Sequence, residues 1–251
     1  MSADSGFRAR FDAHLRDEHK ITRWSTNLRE IVYGGNDGIV TTFAVVAGFA
    51  GAASGDNTAA VGTLAVLVFG LANLFADATA MGLGSFLSSR SEKDVYAAIR
   101  AKEAHEIAHN PRFERREIVE IFLDKGVERR DADLMADAYM RYPDLAADFM
   151  MQHEVGMADP DGDSPAVNGL MTFISFIVFG IIPLIPYFLL EPTARDTFFI
   201  SVGATAGALV MLGLVRWRVT TESVLRCVGE TVLVGGICAV VAYGVGLAFR
   251  L

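Results

Sequence analysis

Five apolar runs of about 20 residues or more dominate the chain and constrain its fold more than any other feature. Each run is long enough for an α-helix to cross the ~30 Å hydrocarbon core of a bilayer. Hydrophobic residues make up 52% of the sequence, which is too many for an ordinary soluble domain of this length. The pattern predicts an all-α membrane protein with five spans. The runs cover residues 30–54, 58–88, 167–190, 197–215 and 224–249.

Charged residues are concentrated in one stretch between the second and third runs. This stretch is too polar for a bilayer, so it predicts a helical insert that lies in water. The N-terminal segment mixes basic and apolar residues and predicts an amphipathic helix on the cytoplasmic membrane surface. The predicted organisation is a cytoplasmic segment at 1–29, spans 1 and 2 at 30–89, a cytoplasmic insert at 90–165, and spans 3 to 5 at 166–251.

The placement of lysine and arginine predicts the orientation. Of the 22 basic residues, all but Arg195 and Arg250 precede span 1, lie in the insert, or lie between span 4 and the first turn of span 5. This bias places the N-terminus and the insert in the cytoplasm and the C-terminus on the opposite side. The net charge of −8 comes mostly from the insert and forms no basic patch, so we expect no nucleic-acid partner.

The second apolar run has no local signal that would end its helix at the membrane surface. No glycine or proline occurs between Gly84 and Pro111. A helix from about residue 59 to residue 109 would be about 75 Å long at ~1.5 Å per residue, far more than a bilayer needs. Asn110 and Pro111 should end it, and Gly126 should close the short helix that follows.

Potential metal ligands recur at helical spacing within the insert. Acids three residues apart share a helix face, and two methionines lie three and four residues before another acid. Carboxylates combined with thioether sulfur suit borderline ions such as Fe²⁺ better than Mg²⁺ or Ca²⁺. Spacing alone also allows a solvated acidic face and a methionine core. The residues are Glu103 with Glu106, Glu114 with Glu117, and Met150 and Met151 with Glu154.

Three sets of motifs together resemble the vacuolar iron transporter family, whose members move Fe²⁺ and sometimes Mn²⁺. They are "NDGIVTTFAVVAG" in span 1, "ADATAMGLGSFLSSRSEKD" in span 2, and the E-x-x-E, E-x-x-E, M-M-x-x-E series of the insert. The resemblance implies a five-span homodimer with the pathway at its interface, built around Asp37 and Met81. It also implies that the acids and methionines of the insert bind metal. Many members carry a glutamate where this chain has Ser85.

Asp37 has an alternative interpretation as the N-cap of span 1. A span that began after Asp37 and ended at Ser54 would hold 17 residues, or about 25 Å, which is short of the ~30 Å core. A helix that begins before Glu30 removes this difficulty and puts Asp37 about two turns inside, where an ionisable group is functional by default. Asp77, four residues before Met81, is a further candidate for the pathway.

The predicted function is proton-coupled export of Fe²⁺, with Mn²⁺ as another cargo, by a membrane antiporter that is not an enzyme and needs no cofactor. A carboxylate in the pathway can hold a proton or a divalent cation but not both, and this competition couples the movement of the cation to that of the proton. The short chain without a targeting segment favours a bacterial inner membrane over a vacuole-like organelle.

A membrane-anchored ferritin-like di-iron oxidase or iron-storage protein is the alternative. The stretch "EAHEIAH" contains Glu106-x-x-His109, one half of a di-iron motif. The second Glu-x-x-His is missing, because Met150 precedes His153 at that spacing.

Overall fold

The structure, a computed structural model, describes residues 27–52, 59–162, 164–190, 194–220 and 222–248, together with Arg8. These residues form helices joined by short connections and contain no strand, so the all-α prediction is confirmed. The amphipathic helix predicted at 1–29 falls almost entirely outside the described residues.

The helices follow the apolar runs and the charged insert closely. Those that form the apolar part are α1 (Leu28–Ala52), α2 (Ala59–His109), α6 (Pro165–Gly180), α7 (Ile185–Leu189), α8 (Ala194–Val219) and α9 (Val224–Ala248). Those of the charged part are α3 (Pro111–Asp124), α4 (Arg129–Met140) and α5 (Pro143–His153). Short 3₁₀ turns occur at Pro160–Gly162 and Ile182–Leu184.

The continuous second helix predicted from the sequence is confirmed. Helix α2 contains 51 residues and ends at His109. Pro111 has no N–H and occupies the first turn of α3, so the chain stops one helix and starts the next there. Gly126 follows α3 with a φ of 84°, a conformation that glycine adopts without steric cost.

Within the described residues, four segments are long and apolar enough to cross a membrane, so the protein is a multi-pass membrane protein. Helix α1 is not among the four, because Asn36, Asp37 and five glycines lower its mean hydropathy. A fifth span therefore stays a prediction. The four are Leu64–His109, Pro165–Leu189, Asp196–Val219 and Val224–Ala248.

The chain divides into two compact units. The first comprises residues 1–86 and 166–251, and within it α1 packs against α8, α9 and the Ile182–Leu184 turn. A Cβ atom on Gly38 would overlap the carbonyl oxygen of Phe176 in α6, so glycine is required for this close approach. The Ser175 hydroxyl also donates to the carbonyl of Ile31 at 2.7 Å, which ties α6 to α1.

The second unit comprises residues 87–165 and has a hydrophobic core of its own. The end of α2 and helices α3, α4 and α5 all contribute to it. Its aromatic centre is formed by Phe122, Tyr139 and Phe149, with ring centroids 4.6–6.0 Å apart. Burial of this apolar surface is the main force that holds these short helices together. The buried members of the core include Ile107, Ile118, Val119, Ala132, Ala136, Ala146, Ala147 and Met150.

Candidate metal sites

Five glutamates of the second unit lie on three elements and interact electrostatically. Glu103 and Glu106 lie in the last two turns of α2, and Glu114 and Glu117 lie in the first two turns of α3. The charges of these two pairs act on one another across the break at Asn110, so the pairs lie close together. Glu154 follows directly after α5.

Glu114 has the most unusual environment of the five. Only 2% of the residue is exposed, and its Oε2 has no hydrogen-bond partner among the described residues. Burial, reinforced by the negative charges of Glu117, Glu103, Glu106 and Glu154, raises the pKa of Glu114 to about 7. A buried carboxylate oxygen without a donor is costly unless a proton or a cation neutralises it.

The pKa values of the neighbouring acids Glu117 and Glu154 are raised by the same physical causes. Burial first, and then repulsion from Glu103 and Glu106, raises the pKa of Glu117. Burial first, and then repulsion from Glu117 and Glu106, raises the pKa of Glu154. The five carboxylates thus form a region of concentrated negative potential, in which protons and divalent cations would compete for the same oxygens.

The two methionines of the motif are completely buried, with no exposed surface. Met150 belongs to the hydrophobic core of the second unit, which is the packing role that the sequence also allowed. Glu103, one of the proposed oxygen ligands, is also buried, with 5% of the residue exposed.

Across the described part of the chain, no three His, Cys, Asp or Glu side chains already lie in an arrangement that could hold a metal ion. Ligation by the five glutamates and two methionines therefore stays a prediction.

Two arginines that the sequence analysis did not single out join helices of the second unit. Arg100 of α2 donates from Nε to Oδ1 of Asp148 in α5 at 2.6 Å. Arg115 of α3 donates to Asp137 at 2.6 Å and to Asp133 at 3.1 Å, both in α4. The sequence signal for these contacts was a pair of aspartates four residues apart, because that spacing puts both carboxylates on one helix face.

Asp37 lies inside a helix, as predicted. Helix α1 begins at Leu28, so Asp37 is its tenth residue, and the N-cap interpretation is wrong. Asp37 is partly exposed and lies close enough to Asp77 of α2 for their charges to interact. Asp77 in turn accepts a hydrogen bond from the side-chain amide of Asn73 at 2.8 Å, a partner that the sequence analysis missed.

Met81 lies one turn after Asp77 on α2. Its side chain is partly buried and packs against the cluster formed by Leu74, Ala78 and Phe176. Asp37, Asp77 and Met81 all belong to the first unit, and no described contact joins Met81 to either acid.

Comparison with known proteins shows similarity over nearly the whole chain. The model of the VIT family matches residues 28–247. Vacuolar iron transporter 1 of Oryza sativa subsp. japonica is 33% identical over 240 residues, which cover 95% of this chain and 92% of the relative. The vacuolar iron transporter of Toxoplasma gondii is 34% identical, covering 94% and 80%, and vacuolar iron transporter 1 of Arabidopsis thaliana is 33% identical, covering 91% and 89%.

Proposed function

The chain belongs to the VIT family, and from this premise we propose that it exports Fe²⁺, with Mn²⁺ as a second cargo, from the cytoplasm in exchange for protons. The relatives named as iron transporters support metal-ion transport as the general activity. The observation that carries the proposal is the position of Asp37, inside an apolar helix and close to Asp77. Two ionisable groups in such a place are costly unless they serve an ion pathway.

The coupling follows from the chemistry of carboxylates. Asp37 can hold a proton or share its oxygens with a divalent cation, so the arrival of one favours the release of the other. Asp77 adds a second negative charge for a 2+ ion, and Asn73 orients its carboxylate. Met81 is proposed as a soft ligand that favours Fe²⁺ over the strongly hydrated Mg²⁺.

We propose five spans, with α1 as the fifth. Its 25 residues correspond to about 37 Å of helix, enough to cross the hydrocarbon core. Helix α1 also packs tightly against α8 and α9, both candidate spans, within the same unit. The proposed orientation has the N-terminus and the second unit in the cytoplasm, the C-terminus opposite, a bacterial inner membrane as the location, and a homodimer as the assembly.

The second unit is proposed to collect the ion before transport. The Glu114 Oε2, which has no partner within the described ranges, and the surrounding carboxylates support this role, because a divalent cation would remove the repulsion among them. Glu103, Glu106, Glu114, Glu117 and Glu154 are the proposed oxygen ligands, with Met150 and Met151 as sulfur ligands.

The di-iron oxidase gains no support from the geometry. The imidazole of His109 hydrogen-bonds the carbonyl of its own helix at His105, 2.8 Å away. The ring of His153 packs edge-on against Phe149 with centroids 4.5 Å apart. Among the described residues, neither His109 nor His153 belongs to a group of three His, Cys, Asp or Glu side chains that could hold a metal ion, as a di-iron site requires.

Transport by purified protein in proteoliposomes tests the proposal. Fe²⁺ uptake into vesicles whose lumen corresponds to the non-cytoplasmic side should require an acidic lumen, and it should fall when the external medium is acidified. Uptake that is indifferent to the proton gradient would refute proton exchange, and an absence of any Fe²⁺ or Mn²⁺ uptake would refute transport of these ions.

A further inference from the structure

Two histidines near the end of α2 form a pair that the proposed transport mechanism does not use. The rings of His105 and His109 stack with centroids 3.8 Å apart and planes inclined by 28°. Both residues are exposed. They are four residues apart on one helix, which puts their side chains on the same face.

The hydrogen bond of His109 determines which of its nitrogens can bind a metal ion. Its Nδ1 lies 2.8 Å from the carbonyl oxygen of His105. A carbonyl oxygen only accepts, so Nδ1 carries the proton, and in the neutral ring Nε2 keeps a free lone pair. A backbone carbonyl that fixes the other nitrogen in this way is the usual support of a metal-binding histidine.

The position of the pair also favours a cation. His109 is the last residue of α2, where the unpaired carbonyl groups give the helix end a partial negative charge. The surrounding stretch from residue 90 to 109 carries eight charged side chains, so it lies in water, where a hydrated ion can approach.

We propose that His105 and His109 form an exposed two-imidazole site for a late divalent transition ion of the Zn²⁺, Ni²⁺ or Cu²⁺ class, with water completing the coordination. Two histidines at this i,i+4 spacing on one helix face can hold a single ion between them. Imidazole favours these late ions over Fe²⁺ and excludes Mg²⁺. The second unit would then bind such an ion through imidazole nitrogens and not through carboxylate oxygens alone. This site does not depend on the proposed transport activity.

Chemical footprinting of the full-length protein in detergent tests the site. Diethyl pyrocarbonate modifies accessible imidazoles, and peptide mass spectrometry reports each histidine separately while Zn²⁺ is titrated. His105 and His109 should be protected together, with one midpoint, and Mg²⁺ should protect neither. His153 is the internal control, because it is exposed and lies outside the pair.

Single substitutions distinguish a shared ion from two independent ones. His109→Ala should weaken the protection of His105 by roughly tenfold or more, and His105→Ala should do the same to His109, because each ligand holds the ion for the other. Glu114→Gln should leave the protection unchanged. Protection of His105 that persists at the same midpoint in His109→Ala, or equal protection of His153, would overturn the proposal.

Discussion

Arg100 of α2 donates from Nε to Oδ1 of Asp148 in α5 at 2.6 Å. The bond joins two helices through residues that are 48 positions apart in the chain. Asp148 is followed two residues later by Met150, and Arg100 precedes Glu103 by three. The pair therefore fixes α5 relative to the part of α2 that carries the first two acids. Half of the Asp148 side chain is exposed, so solvent screens the pair.

Loss of this contact should cost little stability. Arg100→Ala should lower the free energy of unfolding of a fragment of residues 87–165 by about 0.5 kcal/mol, the usual value of an exposed ion pair. Urea denaturation followed by circular dichroism measures it. Arg116→Ala, an exposed arginine of α3, is the control and should have a smaller effect. A loss of several kcal/mol would show that the bond is a structural requirement of the unit.

The metal-free second unit should become less stable as the pH rises. The folded state raises the pKa of Glu114 from 4.5 to about 7, so it holds a proton more tightly than the unfolded chain does. This stability is fully present below pH 4.5 and is lost as the pH rises through about 7. Glu114 alone would account for up to about 3 kcal/mol.

Denaturant titrations at pH 5 and pH 8 in the presence of a chelator measure this effect. Glu114→Gln should make the unit more stable at pH 8 and flatten the pH dependence, because the amide is neutral at both values. Glu120→Gln, on the exposed side of the same helix, should change neither. A unit that gains stability between pH 5 and pH 8 would contradict the assignment.

Divalent cations should reverse the loss of stability of the second unit at high pH, and their binding should release protons. Calorimetric titration of the 87–165 fragment with Mn²⁺ or anaerobic Fe²⁺ should show binding that strengthens from pH 5 to pH 7, with heats that depend on the ionisation enthalpy of the buffer. Glu106→Ala and Glu154→Ala should each weaken binding, whereas Glu120→Ala should not. Equal affinity in all three variants would exclude the proposed carboxylate ligands.

The close contact between α1 and α6 should be sensitive to a single added methyl group. A Cβ on Gly38 would overlap the Phe176 carbonyl, whereas a Cβ on Gly203 in α8 meets nothing within 4 Å. Gly38→Ala should therefore destabilise the first unit by about 1–3 kcal/mol, and Gly203→Ala should not. Thermal aggregation in detergent, followed by size exclusion, compares the two. Identical thermal aggregation curves for the two variants would indicate that α1 and α6 can move apart without a loss of stability.

Local signals in the sequence were sufficient for much of the fold. Asn110 and Pro111 mark the end of α2 at His109, and the length argument puts Asp37 inside α1; both are confirmed. Signals of this kind act within a few residues, so a single sequence reveals them.

Features that depend on packing between distant segments were not predictable. The i,i+3 spacing treats Glu114 and Glu117 alike, yet of the two only Glu114 is buried with an oxygen that has no partner in the described part of the chain, because the core determines which side of α3 faces inward. The sequence likewise offered many partners for Arg100, and Asp148 becomes its partner only when α2 and α5 pack together. The change in span 3 from α-helix to a 3₁₀ turn after Gly180 was likewise not predicted from the sequence.

The proposed transport mechanism depends on Asp37 more than on any other residue. Fe²⁺ uptake should be measured in proteoliposomes with an acidic lumen for the unaltered protein, for Asp37→Asn, and for Asp131→Asn as a control at an exposed aspartate of α4. We expect Asp37→Asn to abolish proton-driven uptake while metal binding by the second unit is retained, because the amide cannot exchange a proton for a cation. The control should transport normally. Uptake by Asp37→Asn at the normal proton-driven rate would contradict the mechanism and reduce Asp37 to a structural residue of α1.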